Sequence, residues 1–388
     1  MLIDKERQEN IDMIKKSIKA LCEEFPESYW REKDDNKAYP EEFIEKLTEE
    51  GWLSVLIPEE YGGSGLGTLE AGIILEEINR SGGNAGAGHA QMYTMGALLR
   101  HGNEEQKQRF LPKIATGELR LQAFGVTEPT AGSDTTNIDT VAVREGDKYI
   151  VNGQKIWISR SQQSDLMLLL ARTTPKKDVK KKTDGLSIFL LDLNDQKDNV
   201  DIRPIDTMIN HSTTEVFIEN AEIPVENLIG EEGKGFKYIL SGMNAERMLI
   251  ASESIGDGKY FIDKAVQYAN ERVVFNRPIG QNQGVQFPLA TSFMEIEAAE
   301  LMRDKAAMLF DEGGKGGQEA NMSKYLASEA AWNAANAAMD AYGGYGLAKE
   351  YGVERKFREA RLYKVAPITN NLILSFVSQH ILGLPRSF

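Results

Sequence analysis

A chain of 388 residues with 41% apolar and 27% charged residues has the balance of a soluble globular protein. It is too long for one small core, so roughly two or three sub-domains are expected. A net charge of −14 argues against a nucleic-acid surface, yet leaves room for a local basic pocket that takes a phosphate-rich ligand.

Cys22 is the only cysteine, so no intrachain disulfide can form and a reducing compartment is expected. The N-terminus, Met1-Leu2-Ile3-Asp4-Lys5-Glu6-Arg7, carries no signal-peptide apolar core. The longest apolar run, Leu166 to Ala171, falls far short of the roughly 20 residues that span a bilayer. These features together predict a cytoplasmic protein with no membrane segment.

Residues 1 to about 120 read as helices. Ile11, Ile14, Ile18 and Leu21 recur at helical spacing and mark one apolar face. Pro40-Glu41-Glu42 predicts a second helix start, with proline in the first turn and acids matching the dipole. Gly102-Asn103-Glu104-Glu105-Gln106-Lys107 reads as a capped helix start. No strand-Gly-x-Gly-x-x-Gly-helix arrangement and no phosphate-binding P-loop occurs, so any dinucleotide is bound outside the Rossmann geometry.

From about 121 to 230 the pattern switches to strands. Leu166 to Leu170, Leu186 to Leu191 and Glu215 to Ile218 are short apolar strand runs. Glu145-Gly146-Asp147 and Asn152-Gly153 carry hairpin-turn chemistry. Lys176, Lys177 and Lys180 to Lys182 read as a solvated hairpin tip. From about 231 to the end, helix returns. Phe236, Leu240, Met243, Arg247 and Ile250 share a stripe. Nine alanines between Ala320 and Ala341, with no Gly or Pro, predict a long closely packed helix that Gly343-Gly344 ends.

Two segments carry ligand chemistry. The first, Phe124-Gly125-Val126-Thr127-Glu128-Pro129-Thr130-Ala131-Gly132-Ser133-Asp134, is a strand running into a turn that presents backbone N–H groups and small hydroxyls. The second, Val151-Asn152-Gly153-Gln154-Lys155-Ile156-Trp157-Ile158-Ser159, sets an indole close to a hydroxyl. Together they suit a stacked heteroaromatic ligand. Taken alone, the pair fits equally an ordinary β-hairpin around a buried tryptophan, since short motifs match by accident.

The pair closely resembles the flavin-binding segments of the acyl-CoA dehydrogenase family. The resemblance continues in order over roughly residues 20 to 388. Pro58-Glu59-Glu60-Tyr61-Gly62-Gly63 resembles a family loop. Glu271-Arg272-Val273-Val274-Phe275-Asn276-Arg277-Pro278-Ile279-Gly280-Gln281-Asn282-Gln283 is similar to the family's second flavin segment. Ala341-Tyr342-Gly343-Gly344-Tyr345-Gly346 resembles its glycine-rich turn near the adenine half, with Asp340 where many members carry glutamine.

The resemblance implies an α+β multidomain fold: an N-terminal helical domain (1–120), a middle β-barrel-like domain (121–230) and a C-terminal four-helix bundle (231–388). It implies FAD held by Phe124, Val126, Thr127, Ser133, Trp157, Ser159, Arg272, Phe275, Gln283, Asp340, Gly344, Thr369 and Asn371. The flavin would lie between the middle and C-terminal domains. Arg272 and Phe275 would be supplied across a dimer interface of a homotetramer, a dimer of dimers. Arg272 would pair with the pyrophosphate and Phe275 would stack. An electron-transferring flavoprotein would take the electrons.

The implied reaction, familiar in fatty acid metabolism, is α,β-dehydrogenation of an acyl-CoA thioester to the trans-2-enoyl-CoA. A carboxylate removes the α-proton and the β-hydride goes to flavin N5. The α-proton is weakly acidic, so fixed donors must polarise the carbonyl, and a buried carboxylate must act as base. Many members place that base in a C-terminal Tyr-Glu-Gly-Thr-like segment. Here the segment is Leu362-Tyr363-Lys364-Val365-Ala366-Pro367-Ile368-Thr369-Asn370-Asn371, and Pro367 holds the glutamate's place.

Met243-Asn244-Ala245-Glu246-Arg247 supplies a replacement. Isovaleryl- and long-chain-type members place their base immediately before this arginine, so the resemblance makes Glu246 the base. Ser133, Met243, Asn244 and Arg247 match substrate-side positions. As a bare feature, Glu-Arg on a helix also fits a solvated pair. Proline has no N–H to polarise the thioester carbonyl. Either Ile368 takes over, or carbonyl activation relies more on a flavin ribityl hydroxyl, or the chemistry differs. Rival readings are a same-fold oxidase or a lyase or desulfinase. A non-catalytic flavin or acyl-CoA binding protein, including a nucleic-acid-associated relative, is a further rival. His89, His101, His211 and His380 show no metal-ligand spacing, and no metal is expected.

Overall fold

Helices α1 (Lys5–Glu23), α2 (Glu27–Asp35), α3 (Glu41–Glu49), α4 (Thr68–Arg80), α5 (Gly86–Thr94), α6 (Gly96–His101) and α7 (Glu104–Thr116) open the chain. Strands β1 (Ala123–Gly125), β2 (Val141–Glu145), β3 (Lys148–Ser159), β4 (Leu166–Arg172), β5 (Leu186–Asp192), β6 (Val200–Pro204), β7 (Thr213–Pro224) and β8 (Leu228–Ile229) follow. Helix α8 (Gly235–Glu271) leads into a small hairpin of β9 (Val273–Val274) and β10 (Arg277–Pro278). Helices α9 (Gln283–Asp311), α10 (Gly317–Tyr342), α11 (Val353–Ala360) and α12 (Asn370–Phe376) complete it. This computed structural model describes residues 5–314 and 316–386, so Met1–Asp4 of the N-terminal stretch discussed above lie outside the described residues.

The chain forms two compact units. The sheet unit comprises Lys37–Leu66 and Gly86–Met243. The helical unit comprises the chain up to Asn36, Gly67–Ala85 and the chain from Asn244 onward.

In the sheet unit, the strand order is β6-β7-β3-β2-β4-β5-β8, with β1 parallel to β4. Every residue of β4 is buried, which is why its sequence is a continuous apolar run rather than an alternating one. Its side chains divide by the period of two. Leu166, Leu168 and Leu170 join a core with Phe110, Leu111 and Ile114 of α7. Met167, Leu169 and Ala171 join a second core with Tyr149, Val151, Val216 and Ile218. The sheet is open, because edge strands β6 and β8 do not pair with each other; the barrel-like closure is not among its pairings.

Local readings of the sequence fare unevenly. Asn103 does cap α7, accepting from Gln106 N at 2.8 Å, with the Gln106 side chain returning the bond. Pro40 is the residue before α3 rather than in its first turn, and α2 precedes it unannounced. Glu145-Gly146-Asp147 is the β2–β3 turn, with Gly146 at φ 65°. Asn152-Gly153 is not a turn: β3 runs straight through it with a register shift against β7. Gly153 is small there because Thr140 packs on it; a Cβ would come within 2.3 Å of Thr140 Oγ1. The lysine run after β4 is mainly exposed, but Lys176 Nζ bonds Asn137 O at 2.9 Å and Asp139 Oδ1 at 2.8 Å.

In the helical unit, α10 lies against α9 and buries Ala320, Ala327, Ala331, Ala334, Ala335 and Ala338. The alanines allow the close approach that their sequence pattern predicted. α1 buries Ile11, Ile14, Ile18 and Leu21, the face read from periodicity, and packs on α4. The start of α4 has glycine as its cap residue, so its free N–H groups look elsewhere. Asp311, at the end of α9, accepts from Thr68 N at 2.8 Å and Leu69 N at 3.3 Å. Arg7 of α1 bridges Glu70 at 2.6 Å and Asp311 at 3.2 Å.

Beneath this, Glu76 of α4 and Arg303 of α9 form a fully buried pair at 2.9 Å. Lys259 of α8 joins Glu76 and Glu300, each at 2.6 Å. Burial pushes the Glu76 carboxyl up, but the charges of Arg303, Lys259 and Lys15 outweigh it and hold it below the usual carboxylate range.

Candidate active site

In the sheet unit, the two ligand-type segments are welded by a buried ion pair. Lys155 Nζ donates to Glu128 Oε1 at 2.8 Å and to Val126 O at 3.2 Å. Glu128 also accepts from Asp139 N at 2.5 Å and Thr140 N at 3.0 Å. Ile156 N donates to Thr127 O at 3.0 Å. Burial lowers Lys155 to about 8 against the opposing pull of Glu128. Burial raises Glu128, yet Lys155 and the amides outweigh it and leave a net lowering, so the carboxylate form is favoured. Neither residue stood out in the sequence, because a lysine in a strand normally reads as solvated.

The weld frames Trp157. This residue sits where the β3–β7 register shifts, at φ 61°, and its indole is 58% exposed. The expected alternative, a hairpin around a buried tryptophan, is therefore not what forms. A bulky residue in a left-handed conformation costs about 1–3 kcal/mol and persists where the surroundings over-determine it. Val126 is buried, Thr127 and Ser159 are half-buried, and Ser133 is exposed. Beside Ser133, a Cβ on Gly132 would meet nothing within 4 Å, so the turn faces open space. Phe124 packs edge-to-face on Tyr93, with centroids 5.4 Å apart.

Arg160, left-handed at φ 59°, follows Ser159 and places Nη2 3.3 Å from His211 Nδ1. Burial, then the charges of Arg160 and His89, hold His211 well below its usual range, so it is neutral and can accept from the guanidinium. Among the described residues, no group of three or more His, Cys, Asp or Glu could hold a metal ion.

In the helical unit, Glu246 and Arg247 of α8 are both buried, at 7% and 9% exposure. The solvated-pair reading thus gives way to a desolvated one. Arg247 Nη1 donates to Asn244 Oδ1 at 2.7 Å. Burial lowers Arg247 and Glu246 opposes it. Asn244 is half-buried, and so is Met243, the last residue of the sheet unit. The Pro367 loop leads to Thr369, which caps α12 by accepting from Leu372 N at 3.3 Å. Asn371 is exposed, while its neighbour Asn370 is buried and bonds Lys324 Nζ at 2.7 Å.

The β9–β10 hairpin turns through Phe275 and Asn276, at φ 52° and 63°, the left-handed pair of a two-residue turn. Phe275 is 95% exposed at its tip. Arg272 lays its guanidinium 5.4 Å from the Tyr345 ring centroid, next to Gly344. This brings the second flavin-type segment and the glycine-rich turn together. Tyr345 was not singled out from the sequence. Gln283 and Asp340 stand exposed at the start of α9 and near the end of α10.

Three family models match in order: acyl-CoA dehydrogenase N-terminal domain over 8–118, middle domain over 123–221, and C-terminal domain over 233–382. Acyl-CoA dehydrogenase FadE12 of Mycobacterium tuberculosis is 34% identical over 384 residues, covering 97% of this chain and 96% of that protein. A glutaryl-coenzyme A dehydrogenase–glutaryl-CoA complex superposes with a TM-score of 0.90 at 31% identity, covering 99% of this chain and 97% of the other. A structure described as an electron transferring flavoprotein of Acidaminococcus fermentans gives 0.89 at 33%, covering 96% and 98%. With helices, then sheet, then helices in the matching order, this chain belongs to the acyl-CoA dehydrogenase family of oxidoreductases.

Proposed function

We propose that this protein is an FAD-dependent acyl-CoA dehydrogenase that converts an acyl-CoA thioester to the trans-2-enoyl-CoA, with Glu246 as the base. The observation that carries the reading is the burial of Glu246 beside Arg247. A carboxylate out of water holds a proton more readily, which suits a base that must take a weakly acidic α-proton. Arg247, tied to Asn244, balances its charge.

The residues present fit a flavin. The exposed, strained indole of Trp157 offers a stacking face, with Thr127, Ser133 and Ser159 as hydroxyl partners and open space over Gly132. When bound, the flavin supplies the hydride acceptor. Arg272, Phe275, Gln283, Asp340, Gly344, Thr369 and Asn371 are proposed to complete its binding, Phe275 from a neighbouring subunit. Phe275 is 95% exposed at the tip of the β9–β10 hairpin, which suits a contact made to a neighbouring subunit. A homotetramer is proposed with it, and Phe293 and Met294 are exposed side by side on α9. An electron-transferring flavoprotein is the proposed acceptor. We retain the three-part division at about residues 120 and 230, and a cytoplasmic location. No described helix is long and apolar enough to cross a membrane.

The test is an anaerobic visible spectrum of purified protein titrated with isovaleryl-, butyryl- and octanoyl-CoA. Bleaching of the oxidised flavin by one of them is expected. A bound flavin that none bleaches, with thioester still consumed, would favour the lyase reading that Pro367 motivates. Trp157→Ala should weaken flavin binding about tenfold, the scale of one lost aromatic stack, as read by fluorescence titration of the apoprotein.

A further inference from the structure

The seven residues from Lys176 to Lys182 carry five lysines, in a chain whose acids outnumber its bases by 59 to 45. Asp178 is the one acid inside the run, and Asp184 follows it. A solvated hairpin tip needs polar side chains of either sign, so the concentration of one sign asks for a separate cause.

The loop is built rather than slack. Asp178 N donates to Pro175 O at 2.9 Å, Asp184 N to Lys181 O at 2.9 Å, and Thr173 N to Gly185 O at 2.9 Å across its base. All five lysines are exposed. Lys176 is held by Asn137 O and Asp139 Oδ1. Among the described residues, Lys177, Lys180, Lys181 and Lys182 form no ion pair.

The Lys176 anchor sets where the loop sits. Asn137 ends the short turn Thr135–Asn137 and follows Ser133 by four residues, at most about 14 Å of chain. Asn137 N donates to Asp134 O at 2.9 Å and Thr135 Oγ1 to Gly132 O at 3.2 Å, so this turn and the Ser133 segment are one piece. Arg172, the last residue of β4, is 5% exposed and donates from Nη2 to Thr136 O at 2.8 Å. Its Nε and Nη1 have no hydrogen-bond partner among the described residues. Positive charge thus flanks the open-faced Gly132–Ser133 turn from the loop and from the buried side.

We propose that this basic loop, Lys177 with Lys180 to Lys182, is the docking surface for the phosphate-bearing nucleotide end of coenzyme A. The inference rests on the acyl-CoA reading, in which Ser133 stands on the substrate side. The 3′-phosphate and the diphosphate concentrate negative charge at the end of coenzyme A remote from the thioester. A chain of net −14 repels that end as a whole, and a local patch of opposite sign draws it to one place. Lysine suits a phosphate that stays in water, because its ammonium is a hydrated point charge on a flexible stem.

The experiment is calorimetric titration of the flavin-loaded protein with coenzyme A and with 3′-dephospho-CoA, at about 20 and about 200 mM salt. Lys177→Gln, Lys180→Gln, Lys181→Gln and Lys182→Gln, combined, should weaken coenzyme A about tenfold at the lower salt and much less at the higher, since exposed charges are screened. The dephospho form should lose less. The same four positions changed to arginine should keep the affinity. With a thioester that bleaches the wild type, the glutamine variant should need more thioester for half-saturation and reach the same maximal rate, a split that a merely structural role would not produce.

Coenzyme A affinity unmoved in the glutamine variant, or a loss that salt does not diminish, overturns the proposal. Unmoved affinity with slower electron transfer to a flavoprotein acceptor assigns the patch to that partner and overturns it as well. If the variant does not fold, the wild type decides: its affinity should fall several-fold with salt and with removal of the 3′-phosphate, and indifference to both overturns the proposal. A wild type that binds no coenzyme A sinks the acyl-CoA reading and this inference together. Lysine-dependent binding of coenzyme A, with no thioester bleaching the flavin, supports this inference and sinks the dehydrogenation alone.

Discussion

Glu246→Gln should bind flavin as the wild type does and reduce it about 10²–10⁴-fold more slowly with every thioester, the usual contribution of a general base. The substitution keeps the shape and removes the proton acceptor. Arg247 remains bonded to Asn244, so the helix keeps its local structure. Stopped-flow reduction under anaerobic conditions checks it, with the visible spectrum confirming a full complement of flavin. Undiminished bleaching would keep the reaction and remove Glu246 from its role. Pro367 offers no substitute there, having neither a carboxylate nor an N–H.

The second large effect is on stability. Arg303→Met should destabilise the helical unit by about 3–5 kcal/mol, because it takes one of its two close cation partners from the fully buried Glu76 and leaves Lys259 shared between Glu76 and Glu300. Calorimetry should show the unfolding transition of the helical unit lowered by roughly 6–20 °C. Arg303→Met combined with Glu76→Leu should recover much of that loss, since the buried carboxylate goes with its guanidinium while Lys259 keeps Glu300. The pH dependence has a definite sign. Burial raises Glu76, but Arg303 and Lys259 outweigh it and hold the carboxyl below its ordinary range, so its contribution is complete above the ordinary carboxylate pKa and is lost as pH falls through the lowered one. Glu76→Gln should flatten Tm against pH in that window.

Much of this architecture is legible in the sequence where one physical signal dominates. The Ile11–Leu21 face, the alanines of α10 and the apolar runs of β4 and β5 each report their own burial. Elsewhere the deciding term is tertiary. α2 is polar and buries only Trp30 and Asp34, so it leaves little periodicity to read. Asn152-Gly153 has turn chemistry, but Thr140 needs the missing side chain and the strand continues. The motifs led to Trp157 and Glu246, yet not to the strain of the first or the burial of the second. Lys155, Glu128 and Lys324 escaped because a charged residue is assumed to face water until its partners, distant in the chain, are known.

The capping of α4 by Asp311 has a consequence for biosynthesis. The two partners are 243 residues apart in the chain. At about 5–20 residues per second, the first turn of α4 would leave the ribosome roughly 10–50 s before its cap exists. The charge of Glu76 waits on the same late part of the chain, for Lys259 of α8 and Arg303 of α9. The residues of the sheet unit, by contrast, are all synthesised by Met243. Nascent chains halted before α9 should therefore yield a protease-resistant sheet unit with an N-terminal arm that is cut readily and held by chaperones.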